Sequence, residues 1–121
     1  MFMDRQKYAS AGIKHHLATN RNWVKGKAWS KKLSALFLRA NMSLGDKANI
    51  LELTGELEAY HKGPHSPLYH AFVYRTLTTS IGKASPKSVE YANRLRAGLA
   101  LVAKEIRDNP GILRGIGLEA P

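Results

Sequence analysis

Apolar positions recur at helical spacing in three stretches of the chain. The clearest runs over residues 86 to 108, where Val89, Ala92, Leu95, Leu99, Val102 and Ile106 follow at intervals of three and four, the period that lines one face of an α-helix. Ser85-Pro86 ahead of it is a cap followed by a first-turn proline, and Asn109-Pro110-Gly111 ends it. The same grammar at Ser66-Pro67 predicts a second helix, with Leu68, Phe72, Leu77 and Ile81 on one side and Gly82 beyond. Residues 30 to 41, SKKLSALFLRAN, predict a shorter helix capped by Ser30, with Leu33, Leu36 and Phe37 facing inward. Two further pieces lack that period. Ile50 to Leu53, entered through the Gly45-Asp46 turn, reads as a strand, and AGIKHHLAT suits a second short strand entered through Gly12. The expected fold class is α+β, mostly helical, with one small hairpin.

Composition narrows the class without changing that picture. With 121 residues, 44% hydrophobic and 23% charged, the chain is large enough for one buried core and too short for two. No internal repeat, low-complexity tract or linker-like run divides it, so one unit over 1–121 is expected. No apolar run approaches the ~20 residues that span a bilayer, so membrane insertion is not expected. A cleavable signal peptide is not expected either, since no basic start leads into an apolar stretch and a small-residue cleavage site. Delivery by a machine that reads no such signal stays open. The absence of cysteine excludes disulfides and thiolate metal sites, leaving His, Asp, Glu or Asn to hold any metal.

Charge adds the first functional pointer. The 19 Lys and Arg against 9 Asp and Glu give a net charge of +10, and phosphates neutralised by such residues release condensed counterions. A polyanionic partner, nucleic acid or an acidic protein, is therefore favoured over a merely solvated basic surface. The excess is uneven. Residues 1 to 47 hold ten cationic side chains (Arg5, Lys7, Lys14, Arg21, Lys25, Lys27, Lys31, Lys32, Arg39 and Lys47) but only Asp4 and Asp46 as acids, which is eight of the ten surplus charges.

All five histidines fall in two short windows, His15-His16 and then His61, His65 and His70. Imidazole binds divalent transition metals when neutral, and its ordinary pKa near ~6.5 also suits it to general-base work. A metal-dependent phosphodiesterase needs both functions, one to hold the cation and one to take a proton from the attacking water. His61 and His65 are four apart, but Gly63-Pro64 between them argues against a regular helix there. Consecutive strand residues point to opposite faces, so His15 and His16 serve one site only if the strand bends or ends at the pair. Which of the two is ligand and which base is a geometric question that the residues leave open.

Taken in order, GIKHHLATN, MSLGDKANI and HKGPHSPLYHAFVYRTL resemble the HNH nuclease superfamily, and within it the AHH-type nucleases at the ends of bacterial polymorphic toxins. The matching pieces are His15-His16, then the L-x-D-x-x-N run from Leu44 to Asn49, then the H-x-G-x-H run from His61 to His65 with Tyr69-His70 and Val73. Lys14 stands where the family name has Ala, and ELTGELEAY lengthens the spacing between Asn49 and His61. The resemblance covers about residues 12 to 77. It implies a small ββα-metal (HNH) motif, about 12–82, with additional packed helices, the C-terminal one about 86–108. It further implies one divalent metal ion (Mg2+, Zn2+, Ni2+ or Mn2+) on His15, His61 and His65, with His16 as general base and the Asn49 side-chain carbonyl fixing the tautomer of His16. His70 and Tyr69 become candidates for support of the site or contact with phosphate.

The implied activity is a metal-dependent endonuclease with little sequence specificity, a DNase toxin used between competing bacteria. Its partners would be DNA, or RNA on the same scaffold, and an acidic immunity protein that meets the basic surface. It would be secreted or injected by a specialised delivery system and act in the target-cell cytoplasm. Lys14, Arg21, Lys25, Lys27, Lys31 and Lys32 are the expected backbone contacts, with Trp23 and Trp29 interleaved either as stacking surfaces or as core. A rival from another class is a non-catalytic basic helical nucleic-acid-binding protein, although such a protein has no need to gather every histidine into two windows.

Overall fold

The computed structural model describes residues 13–23, 28–55 and 65–118. In chain order the elements are strand β1 (Ile13–His16), helix α1 (Trp29–Leu38), a 3-10 turn (Lys47–Asn49), strand β2 (Ile50–Leu53), helix α2 (Pro67–Ile81), helix α3 (Val89–Asp108) and a 3-10 segment (Pro110–Arg114). The architecture is α+β, with three helices and a two-stranded sheet among the described residues. Both strands lie where the short apolar pieces placed them.

β1 and β2 pair antiparallel, with Ile13 opposite Leu53, Lys14 opposite Glu52, His15 opposite Leu51 and His16 opposite Ile50. Directly opposed residues share a face and successive residues alternate. His15, Leu51 and Leu53 are accordingly buried, while Lys14 and Glu52 are exposed and His16 and Ile50 half-buried. The sheet therefore presents one face to the core and the other to solvent.

α2 starts as its cap predicts, the Ser66 hydroxyl accepting from the Leu68 amide at 3.1 Å with Pro67 in the first turn. Its buried face is Tyr69, His70, Ala71, Val73, Leu77 and Ile81, and Leu68 and Phe72, expected inward, are half-buried. α3 begins later than expected, at Val89, and its cap is Ser88, whose hydroxyl accepts from the Tyr91 amide at 3.0 Å. The reason lies in Lys87. Its backbone is left-handed at φ 69, a conformation that does not continue into a helix. Its ammonium donates to Leu38 O at 2.8 Å and Asn41 Oδ1 at 2.7 Å, so it satisfies the C-terminal end of α1. Val89 is left 78% exposed, and Leu95, Leu99, Val102 and Ile106 are buried as the period required.

α2 and α3 pack closely at Gly98. A Cβ there would stand 2.9 Å from Ser80 Oγ and 3.0 Å from Leu77 Cδ2, so only glycine permits this approach. α1 buries Leu33, Leu36 and Phe37, but Ser30 is not its cap. That residue lies inside the helix and is wholly buried, its hydroxyl donating to Thr19 O at 2.7 Å and accepting from the Asn22 amide at 2.8 Å. The helix also stops at Leu38, before the left-handed Asn41 at φ 57. Among the described residues no helix is long and apolar enough to cross a membrane.

Candidate active site

Strand alternation divides the two adjacent histidines between the faces of β1. His15 points inward, 2% exposed, with its Nε2 3.0 Å from the Tyr69 hydroxyl. That hydroxyl donates its only proton to Leu17 O at 2.8 Å, so the hydrogen between it and the imidazole belongs to His15 Nε2. In the neutral ring the lone pair is then at Nδ1. The His65 ring, just before α2, meets the His15 ring edge-on with centroids 5.0 Å apart and planes at 86°. Tyr69 packs against both, at 5.8 Å from each. One turn into the helix, His70 lies 5.5 Å from the Tyr69 ring and 6.4 Å from both the His65 and Trp29 rings.

Burial sets the ionisation of Tyr69 and His70. It pushes the Tyr69 hydroxyl well above the usual phenol range, so the group stays neutral. It also pushes His70 down to about 4, aided by the charge of His65. His70, expected to support the site or to contact phosphate, is 5% exposed, and its Nδ1 is buried with no hydrogen-bond partner among the described residues.

His16, on the opposite face at the strand's last residue, is half-buried, and its Nε2 lies 3.3 Å from Asn20 Nδ2. An amide nitrogen has only hydrogens to offer, so Nε2 accepts and the neutral ring carries its hydrogen on Nδ1. Partial burial and then the Arg21 guanidinium hold His16 below its ordinary pKa. At neutral pH it therefore offers a lone pair at Nε2, the state a proton acceptor requires.

The side-chain carbonyl of Asn49 does not reach the ring of His16. Asn49 is fully buried, its Oδ1 accepting from the Ala18 amide at 2.7 Å while Nδ2 donates to Ala18 O at 2.9 Å and Leu44 O at 2.8 Å. Its own carbonyl accepts from the Leu17 amide at 2.8 Å. Asn49 thus joins the exit of β1 to the turn before β2 and fixes the strand end that carries both histidines. The tautomer of His16 is set by Asn20, which the sequence reading missed. Its only signal was a position four residues after His16 in a polar run.

Of the expected backbone contacts, Lys14, Arg21, Lys31 and Lys32 are exposed. Lys32 also places its ammonium 4.9 Å over the Trp29 ring. Trp29 is core at 7% exposure and Trp23 is 49% exposed. His61, Lys25, Lys27 and Gly12 lie outside the described residues.

Among the described residues, no group of three or more His, Cys, Asp or Glu is gathered to hold a metal ion. The donors that are gathered, His15 and His65, nevertheless fit one chemically. Both are imidazoles at one corner of the fold, and the Nε2–H of His15 is oriented by Tyr69 as outer partners of ligating histidines commonly do.

Comparisons with known proteins identify a family. Residues 1–106 match the AHH family, described as a nuclease family of the HNH/ENDO VII superfamily with conserved AHH. Searches of curated proteins and of solved structures return no match. The match spans β1, the hairpin, α2 and nearly all of α3, and the chain belongs to the AHH nuclease family of the HNH/ENDO VII superfamily.

Proposed function

We propose that this nuclease is a metal-dependent endonuclease in which the two adjacent histidines divide the work. The reading rests on one observation. His15 meets His65 on the inner side of β1, while His16, one residue on, holds a neutral imidazole at the strand end with its Nε2 lone pair outward of the core. His15 and His65, with His61 from the preceding segment, would hold a single divalent cation. When bound, such a cation supplies Lewis-acid stabilisation of the charge on the phosphate and the departing oxygen.

The remaining work falls to the chain itself. His16 Nε2 takes the proton of the attacking water, and the Asn20 amide gives up that lone pair as the water arrives. The contact at 3.3 Å is long, so little is lost in the exchange. Arg21 serves the reaction in two ways, keeping His16 unprotonated and offering its guanidinium to the phosphate. Tyr69 fixes His15 from behind, and Asn49 fixes the strand end. Lys14, Lys31 and Lys32, with Lys25 and Lys27, follow the backbone without reading bases, so cleavage has little sequence preference.

The net charge of +10 supports two further parts of the reading. It suits a DNA substrate and an acidic immunity protein that neutralises a toxin in its producer. The toxin would be secreted or injected and act in the target-cell cytoplasm. The experiment incubates purified protein with plasmid DNA and with RNA, adding Mg2+, Mn2+, Ni2+ or Zn2+ in turn or EDTA, beside His16→Ala. Cleavage that EDTA and His16→Ala both abolish is expected. Intact DNA and RNA under every cation would refute the reading.

A further inference from the structure

The loop that leaves β1 is built more firmly than a connection requires. Ser30, inside α1, ties down both Thr19 O and the Asn22 amide. Asn22 replies with its carbonyl to the Ser30 amide at 2.8 Å and its Oδ1 to the Trp29 amide at 3.2 Å. The Arg21 amide closes on Thr19 Oγ1 at 3.2 Å. In this pinned segment stands Trp23, 49% exposed, its indole N–H donating to Asn20 O at 2.9 Å. The same Asn20 contacts His16 through its side chain. One residue therefore touches both the proposed base and the exposed indole.

Single exposed apolar side chains are ordinary, and Leu38, Val89, Leu101 and Ile116 are others here. Trp23 differs from them in place and in fixity. It is linked to His16 through Asn20 on a segment with a cationic neighbour, Arg21, and its ring is oriented by the Asn20 carbonyl before any ligand arrives, which lowers the ordering cost of binding. A large exposed π-face held next to a phosphate-handling group has one natural ligand, the face of a nucleobase.

We propose that Trp23 is a stacking platform for an unpaired nucleobase adjacent to the phosphodiester on which His16 acts, making single-stranded nucleic acid the preferred substrate class. The inference rests on the nuclease reading of His16. Arg21, next to the same Asn20, takes the neighbouring phosphate. A duplex keeps its base faces stacked on one another and must be unstacked at a cost of a few kcal/mol before one can reach the indole. A single strand meets no such barrier. Stacking of this kind is tolerant of base identity, which agrees with cationic contacts that read only the backbone.

The test uses the non-cleaving His16→Ala protein and a short oligothymidylate, alone or annealed to oligoadenylate, followed by tryptophan fluorescence and anisotropy. The single strand is expected to quench fluorescence, and Trp23→Phe to remove most of the quench while retaining part of the affinity. Trp23→Ala is expected to weaken single-strand binding by about fivefold to about a hundredfold and to leave duplex binding nearly unchanged. In the active protein, the single strand is cut faster than the duplex and Trp23→Ala erases the difference. Unchanged single-strand affinity in Trp23→Ala, with active cleavage by the parent, overturns the platform alone. Lost affinity in Trp23→Ala, with no cleavage by the parent under any cation, supports the platform and sinks the nuclease reading instead.

Discussion

Replacing Tyr69 by Phe separates support of the site from support of the fold. The Tyr69 hydroxyl holds two buried groups, Leu17 O and His15 Nε2, and the ring itself is fully buried. Phe keeps the ring and leaves both groups without that partner. Each unsatisfied buried polar group costs about 1–3 kcal/mol, so the loss in stability from the two should be about 2–6 kcal/mol. Tyr91→Phe is the control away from the histidines, since the Tyr91 ring is also buried and its hydroxyl donates to Leu36 O at 2.7 Å and lies beside the Arg39 guanidinium. Its cost should be about 1–2 kcal/mol. Urea denaturation measures both, and calorimetric titration with Zn2+ or Ni2+ measures the site. Losing the outer partner of a ligating histidine costs roughly ten- to a hundredfold in metal affinity. That drop is expected in Tyr69→Phe and not in Tyr91→Phe. Equal metal affinity and equal cleavage in the two variants, below both unfolding midpoints, would refute the role given to Tyr69.

Asn49→Ala removes three buried hydrogen bonds and should destabilise the fold by about 3 kcal/mol or more. Circular dichroism should show activity disappearing only as the protein unfolds. Arg21→Ala should move the acidic limb of the kcat/KM profile upward, toward the ordinary histidine pKa, because the guanidinium disfavours protonated His16; an unmoved limb would exclude that coupling. Burial holds His70 at about 4 in the folded chain, against the 6.5 of an ordinary histidine. The unfolded chain therefore binds a proton that the folded chain refuses between those values. Stability is fully present above about pH 6.5 and falls as pH drops toward 4, by up to about 3 kcal/mol. Denaturation in EDTA across this window should show the slope, and His70→Leu should flatten it.

Local signals carried much of the fold. The Ser66-Pro67 start of α2 and the α3 period over Leu95, Leu99, Val102 and Ile106 are matters of neighbours in sequence, and they hold in three dimensions. The misreadings at Ser85 and Ser30 have a common origin. Each serine sits in sequence where a cap would sit, but the decisive partners are distant: Lys87 is held by Leu38 and Asn41, and Ser30 by Thr19. The site was legible as a set of residue types and opaque as a set of contacts. His15 meets His65, two residues that the family resemblance implies as ligands of one metal, whereas the residues alone left open which of the adjacent pair would face it. Asn20 makes the contact with His16 that was expected of Asn49, because an asparagine's partners depend on which backbone groups the fold leaves unsatisfied. The ββα pattern points to Asn49, whereas the chain turns so that Ala18 and Leu44 claim it.

The division of labour between the adjacent histidines is tested most directly by measuring metal binding and cleavage together in His15→Ala, His65→Ala and His16→Ala, each checked for native circular dichroism. The account predicts that His16→Ala binds the divalent cation nearly as wild type does while cleaving at least about a hundredfold more slowly, the usual scale for a lost general base. His15→Ala and His65→Ala should lose metal affinity and cleavage together. Loss of metal binding in His16→Ala, with His15→Ala still binding the cation and cutting, would contradict it.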